Sequence, residues 1–222
     1  GATIDVSATK VGAGGTAVLW SDVRNMASQT TAAGAILAKG GTEGGDGGRI
    51  ETSGARLDIA DGFRVDTRAP QGQTGQWLLD PVDIMIAPAG NVTGTAMATA
   101  LKGSNVTLST AGTGSCTGVS CNALGGSSGD IYVADNIAVT NATANTTLTL
   151  RADRNIVWYA GNKLSDDGVK NLSLGLQATG GIVFNDNFGV TAPVSTVDIH
   201  GSLSAGGISC TPGSGCTATG KI

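Results

Sequence analysis

Short runs of alternating apolar and polar residues, separated by Gly, Asn, Asp or Ser, recur along the whole chain. Ile50 with Thr52, Leu57 with Ile59, Phe63 with Val65, Ile84 with Ile86 and Val106 with Leu108 share one parity. The pattern continues through Ile131 and Val133, Ile137 and Val139, Leu148 and Leu150, Ile156 and Trp158, Leu172 to Leu176, Ile182 and Phe184, and Val197 and Ile199. Between them Arg49, Glu51, Arg56, Asp58, Arg64, Asp66, Asp83, Thr107, Thr149, Asn155, Ser173 and Asp198 take the opposite side. A period of two with one wet face predicts half-buried strands. Helix is scarce: Val23 to Leu37 is the main candidate, and Ala96 to Lys102 a weaker one.

Many short strands bounded by turn residues fit a sandwich, a barrel or a coiled stack of strands. Glycine opens several of them, at Gly14–Trp20, Gly47–Gly54, Gly129–Asp135 and Gly180–Asp186, with the irregular spacing of a solenoid whose turns carry loops of variable length. In a parallel β-helix each turn stacks its few inward side chains on the next, so a core forms without bulky aromatics, and glycine serves at corners where φ is positive. That arrangement gives one cause for 36 glycines and 4% aromatic residues in a chain of 222. The expectation is one all-β segment over residues 1–222, with 186–222 as less regular terminal turns.

Charge and chemistry narrow the reading. Only 14% of residues are charged, and they are scattered, unlike the blocks of a disordered chain. A net charge of −4 argues against nucleic acid as a partner. No run reaches the roughly 18 apolar residues of a membrane span. His200 is the one histidine, outward by parity, and reads as a solvated side chain. No cofactor or metal is expected: the glycine-rich Gly40–Gly48 has calcium-loop chemistry once and out of phase, so it reads as a surface loop. Asp80 and Asp83 read as a capped turn around Pro81, Asp166 and Asp167 as a solvated loop, and Arg151, Asp153 and Arg154 as a strand-to-turn transition, not a catalytic acid and base set. Trp20, Trp77 and Trp158 read as core packing, with a sugar-stacking platform as the alternative.

The cysteines form two close pairs, Cys116 with Cys121 and Cys210 with Cys216. Zinc would want two-residue spacings, so local disulfides are the expected state and free thiols the alternative; bridged, they imply an oxidising compartment and stiffen surface turns without much effect on the core. Asn91, Asn105, Asn141, Asn145 and Asn171 stand in Asn-x-Ser/Thr sequons, which are glycosylation acceptors or simply the turn and ladder residues of a β fold.

At GGTAVLWSD (Gly14–Asp22), GGDGGRIETSGARLDI (Gly44–Ile59), VDTRAPQGQTGQWLLDPVDIMIA (Val65–Ala87) and TTLTLRADRNIVW (Thr146–Trp158) the sequence resembles the filamentous haemagglutinin-like exoproteins of two-partner secretion. GQWLLDPVDIMI is the most specific string. The resemblance covers roughly Gly14 to Phe184 and implies a right-handed parallel β-helix, exported unfolded through an outer-membrane two-partner-secretion transporter. It further implies a secreted or cell-surface adhesin and virulence factor with a receptor, a protein or a glycan, on host cells or other bacteria. The family's amino-terminal N-P-N-G motif is missing, which places the segment downstream of a secretion domain. The function expected is an adhesive shaft without enzymatic activity, prone to end-to-end self-association. The alternatives are a carbohydrate-active β-helix enzyme and an inert stalk for a distal toxin or binding tip.

Overall fold

A computed structural model of the protein describes residues 1–110, 129–186, 196–200, 203–208 and 217–220. Strands follow one another in short groups. The first holds β1 (Thr3–Asp5), β2 (Thr16–Trp20) and β3 (Gln29–Ala32); the second β4 (Ala35–Leu37), β5 (Arg49–Gly54) and β6 (Arg56–Ile59); the third β7 (Arg64–Asp66), β8 (Gln76–Pro81) and β9 (Ile84–Ile86). A helix, α1 (Gly94–Leu101), then precedes β10 (Asn105–Ser109) and β11 (Ile131–Val133). After these come β12 (Ile137–Val139), β13 (Thr146–Ala152), β14 (Asn155–Tyr159), β15 (Lys163–Asp166) and the long β16 (Leu172–Asp186). The last are β17 (Thr196–Ile199), β18 (Leu203–Ile208) and β19 (Thr217–Gly220).

The fold is all-β with parallel sheets. Among the described residues every strand pairing is parallel, and each strand pairs with one from another group, never with its neighbour in sequence. The register keeps like positions together. One file runs Ala17, Ile50, Trp77, Val106, Leu148, Leu174, Leu203. A second runs Ile84, Ile131, Ile156, Ile182, Ile208, and a third Ile137, Leu164, Val197, Ala218. β16 pairs β13 with its first half and β14 with its second, joining two runs of strands into one curled sheet.

The alternation seen in the sequence is the cause of this burial: Ile50, Trp77, Leu79, Val106, Leu108, Leu148 and Leu150 are all essentially inaccessible. Trp77 donates its Nε1–H to Thr52 Oγ1 at 3.1 Å and packs on Phe63, and Trp158 stacks on Phe184 with ring centroids 5.5 Å apart. Two departures stand out. Trp20 is 62% exposed, because it has outward parity on a strand that heads its sheet. Tyr132 and Val157, on the side expected to be wet, are as buried as their inward neighbours, so β11 and β14 are covered on both faces.

Val23 to Leu37, expected as helix, forms turns followed by β3 and β4. Asp22 and Asn25 take the N–H groups of Arg24 and Ala27 on their own side chains, which competes with a helix, and Gly34 at φ +93° breaks the run. The second candidate does coil. Thr93 caps α1 by accepting the Ala96 N–H, and Met97 and Leu101 are fully buried. α1 packs against both β7 and β12, filling the place between the sheets those strands bound.

Glycine is required where backbones touch. Gly15, Gly48 and Gly75 precede β2, β5 and β8, and a Cβ on Gly48 or Gly75 would lie 2.0 or 2.2 Å from the carbonyl oxygen of the glycine before it in the file.

Candidate functional site

The densest polar arrangement lies where the chain re-enters the sheet at β11. Asp83 and Asp130 immediately precede β9 and β11, Asn155 opens β14, and the register of those strands brings the three side by side. Asp83 Oδ1 accepts the N–H groups of Gly129 and Asp130, both at 2.7 Å. The Asp130 carboxylate, fully shielded, is met by two of the three nitrogens of the Arg154 guanidinium, Nη2 and Nε, the latter at 2.8 Å; by the Tyr132 hydroxyl at 2.7 Å; and by the Asn155 side-chain amide at 3.1 Å. Thr110 Oγ1 donates to Gly129 O at 2.9 Å and accepts the Asp153 N–H, so residues 110 and 129 meet at this knot.

Electrostatics separates the two acids. Burial pushes Asp130 up, but the Arg154, Tyr132 and Asn155 hydrogen bonds outweigh it, and its carboxyl sits below the usual range. Burial dominates at Asp83, with the Asp130 charge adding to it, and its carboxyl sits above that range although two backbone N–H groups pull it down. Asp83 Oδ2 is buried with no hydrogen-bond partner in the structure. Burial and the Asp130 hydrogen bond raise Tyr132, so the phenol stays protonated.

The residues singled out in the sequence are distributed as follows. Asp80 does not pair with Asp83: it lies on the outer side of β8, raised by burial and then by Glu51. Asp83 is a cap, as expected, but it caps the start of β11 and not its own turn. Arg154 turns into the knot, whereas Arg151 and Asp153 line a shallow polar cleft of about 390 Å³ with Ser109, Thr110, Gln177 and Thr179. Asp166, expected in a solvated loop, has a fully shielded side chain that accepts the N–H groups of Gly168, Leu172 and His200 at 2.9 to 3.0 Å. The His200 ring, 54% exposed, closes on the same carboxylate through Nδ1. In Gly40–Gly48, Asp46 Oδ1 accepts the Gln73 N–H at 2.8 Å, and no group of three metal-ligating side chains occurs among the described residues.

The sequons divide. Asn91 and Asn105 are half-buried and hold backbone groups: Asn91 accepts the Met85 N–H and donates to Leu57 O, and Asn105 donates to Thr74 O and accepts the Thr147 N–H. Asn141, Asn145 and Asn171 are exposed on consecutive stacked loops, where Asn145 Oδ1 accepts the Asn171 N–H and the Asn141 N–H reaches Asp167. Cys116, Cys121, Cys210 and Cys216 lie outside the described residues.

Asp130 and Tyr132 were not singled out in the sequence. Their shared parity in GDIYVAD places them on one side of a strand, but their partners come from the turn before β9, the β13–β14 turn and the start of β14, which only the pairing order supplies. Family models, curated proteins and solved structures were each compared with the chain, and none matches it. No helix among the described residues is long and apolar enough to cross a membrane.

Proposed function

We propose that the chain winds as a right-handed parallel β-helix and serves as a stiff shaft segment of a secreted or surface-exposed bacterial adhesin, carrying attachment contacts on its outer strand faces and loops. The observation that carries this reading is the unbroken order β2, β5, β8, β10, β13, β16, all parallel, with one inward file kept in register through Ala17, Ile50, Trp77, Val106, Leu148 and Leu174. Connections of very different length return to the same register, as a coil with a fixed circumference and variable loops requires. The charged residues of the knot are tied to one another and to strand ends, which supports a mechanical duty for them. The receptor proposed is a surface glycan or protein on host or neighbouring bacterial cells, and the route out is a two-partner-secretion transporter.

Beads coated with the folded chain, and with heat-unfolded chain as a control, test the reading against epithelial cells and against bacteria. Attachment by the folded chain alone supports an adhesive shaft. Equal, background-level attachment in both assigns it the role of a stalk.

A further inference from the structure

We propose that the groove along α1 binds a neutral glycan, with carboxylates and a guanidinium holding its hydroxyls while a proline ring and an alanine methyl meet its C–H face. The proposal rests on the adhesive reading above and narrows the receptor to uncharged sugars.

The helix makes the groove. β7 ends one parallel sheet and β12 begins another, and α1 packs between them in place of a strand. A helix is roughly 10 Å across, about twice the spacing of paired strands, so the outer surface steps here instead of running on as a sheet. Between the turn that enters β7, the loop before α1 and the turn that enters β12 lies a cavity of about 610 Å³. That is within the roughly 300 to 1,000 Å³ of small-ligand sites.

Its polar groups come from separate segments. Asp61, in the turn before β7, accepts the Thr93 hydroxyl at 3.2 Å; Asp135, before β12, accepts the Gly94 and Asn136 N–H groups, each at 2.8 Å. These bonds fix the two carboxylates on either side of the start of α1 and leave lone pairs over, since a carboxylate can accept about four hydrogen bonds. Arg64 opens β7 with an exposed side chain and takes part in none of the ion pairs among the described residues. Thr95 and Thr99, one turn apart on α1, add two hydroxyls, and Pro88 and Ala96 add apolar lining. The wall is set before any ligand arrives: a Cβ on Gly94 would lie 2.1 Å from the Asn136 carbonyl oxygen, so α1 starts directly on the β11–β12 turn.

What converges here decides the class of ligand. A sugar ring offers hydroxyls at its edge and C–H groups on its face. Carboxylates take its O–H donors, and a guanidinium serves its oxygens. Two carboxylates against one guanidinium leave no net cationic pull, and the positive end of α1 is already answered by Asp135, so sulfated, uronic and sialic sugars are disfavoured.

Immobilised neutral oligosaccharides of glucose, galactose, mannose and fucose, beside sialylated, uronic and sulfated ones, probe the full folded chain, and calorimetric titration follows for those that bind. The expected result is binding to neutral members that added salt leaves unchanged. Arg64→Ala removes the donor, and Thr95→Gln sets a longer uncharged side chain in the groove. Each is expected to weaken binding at least about tenfold. Circular dichroism like that of wild type shows that each variant folds.

A wild-type chain that binds no neutral sugar or prefers acidic ones, or variants that bind like wild type, overturns the proposal. The bead assay separates this from failure of the adhesive reading. Wild-type beads that attach although no neutral sugar binds overturn the groove alone. A sugar held through Arg64 by a chain whose beads do not attach leaves the groove standing and removes the adhesive role. Attachment lost on Arg64→Ala beads supports both together.

Discussion

Two carboxylates with no side-chain exposure, Asp130 and Asp166, are held in different ways. Asp130 sits between strands and depends chiefly on other side chains, a guanidinium, a phenol and an amide, with one backbone N–H, that of Asn155, at 3.1 Å beside them. Asp166 closes β15 at the rim and depends on three backbone N–H groups, with the exposed His200 ring as an addition. Both sit below the ordinary carboxylate range despite burial, Asp130 chiefly through Arg154 and Asp166 through backbone N–H groups led by that of His200. The difference teaches where cost falls on mutation. Side chains that lose a carboxylate stay trapped in the sheet, whereas N–H groups at a rim can turn to water.

The largest effect is therefore expected for Asp130→Ala. It leaves Arg154 without its hydrogen-bonded carboxylate and Tyr132 with a buried hydroxyl, and removing one partner of a buried ion pair costs about 3 to 5 kcal/mol. The lower end applies because the Arg154 side chain keeps 27% exposure. Urea unfolding of the two proteins measures it. A loss below about 1 kcal/mol would mean that the knot relaxes as freely as a surface site and would erase the contrast.

Asp83→Asn sharpens the comparison within the knot. The Asp83 carboxyl lies above its unfolded value of about 3.9, so its contribution to stability is complete below that value and is lost as pH rises through the folded one. Asp130 has the opposite sign, contributing above about 3.9 and losing that as pH falls through its lowered value. Wild type should thus exceed Asp83→Asn by more at pH 4 than at pH 8, with a difference near neutral pH within about 1 kcal/mol because an amide oxygen can still accept the two N–H groups. Unfolding midpoints across that range check the sign; a margin that widens toward alkaline pH would show that Asp83 is held ionised.

The strands were legible because period-two burial is a local signal, and nearly every alternating pair, from Ile50 and Thr52 to Val197 and Ile199, falls in or beside a strand. Asp130, Arg154 and Asp83 were not legible as a set, since sequence separations reveal nothing of which residues stack once connections differ in length. Parity also misplaced Val157 and Tyr132, because alternation registers one buried face and is blind to whatever covers the other. Trp20 and Trp77 look alike in sequence, each in a short apolar run. Their fates diverge by parity and by position in the sheet, one outward on an edge strand and one inward in the middle. Asp166 was read as solvated because its neighbours Asp167, Gly168 and Lys170 are polar, yet backbone donors that no composition reveals converge on it.

His200→Ala is the smallest change and the strictest check on the two modes of holding. The ring is more than half exposed, and ion pairs of that kind are worth from nothing to about 1 kcal/mol. Asp166 would keep the N–H groups of Gly168, Leu172 and residue 200 itself, since the backbone donor at that position survives the substitution. Stability should fall by less than about 1 kcal/mol in the same urea measurement. If His200→Ala costs as much as Asp130→Ala, then the ring and not the backbone holds Asp166. The rim and the interior would then follow one rule: a buried carboxylate in this fold stands or falls with its side-chain partner.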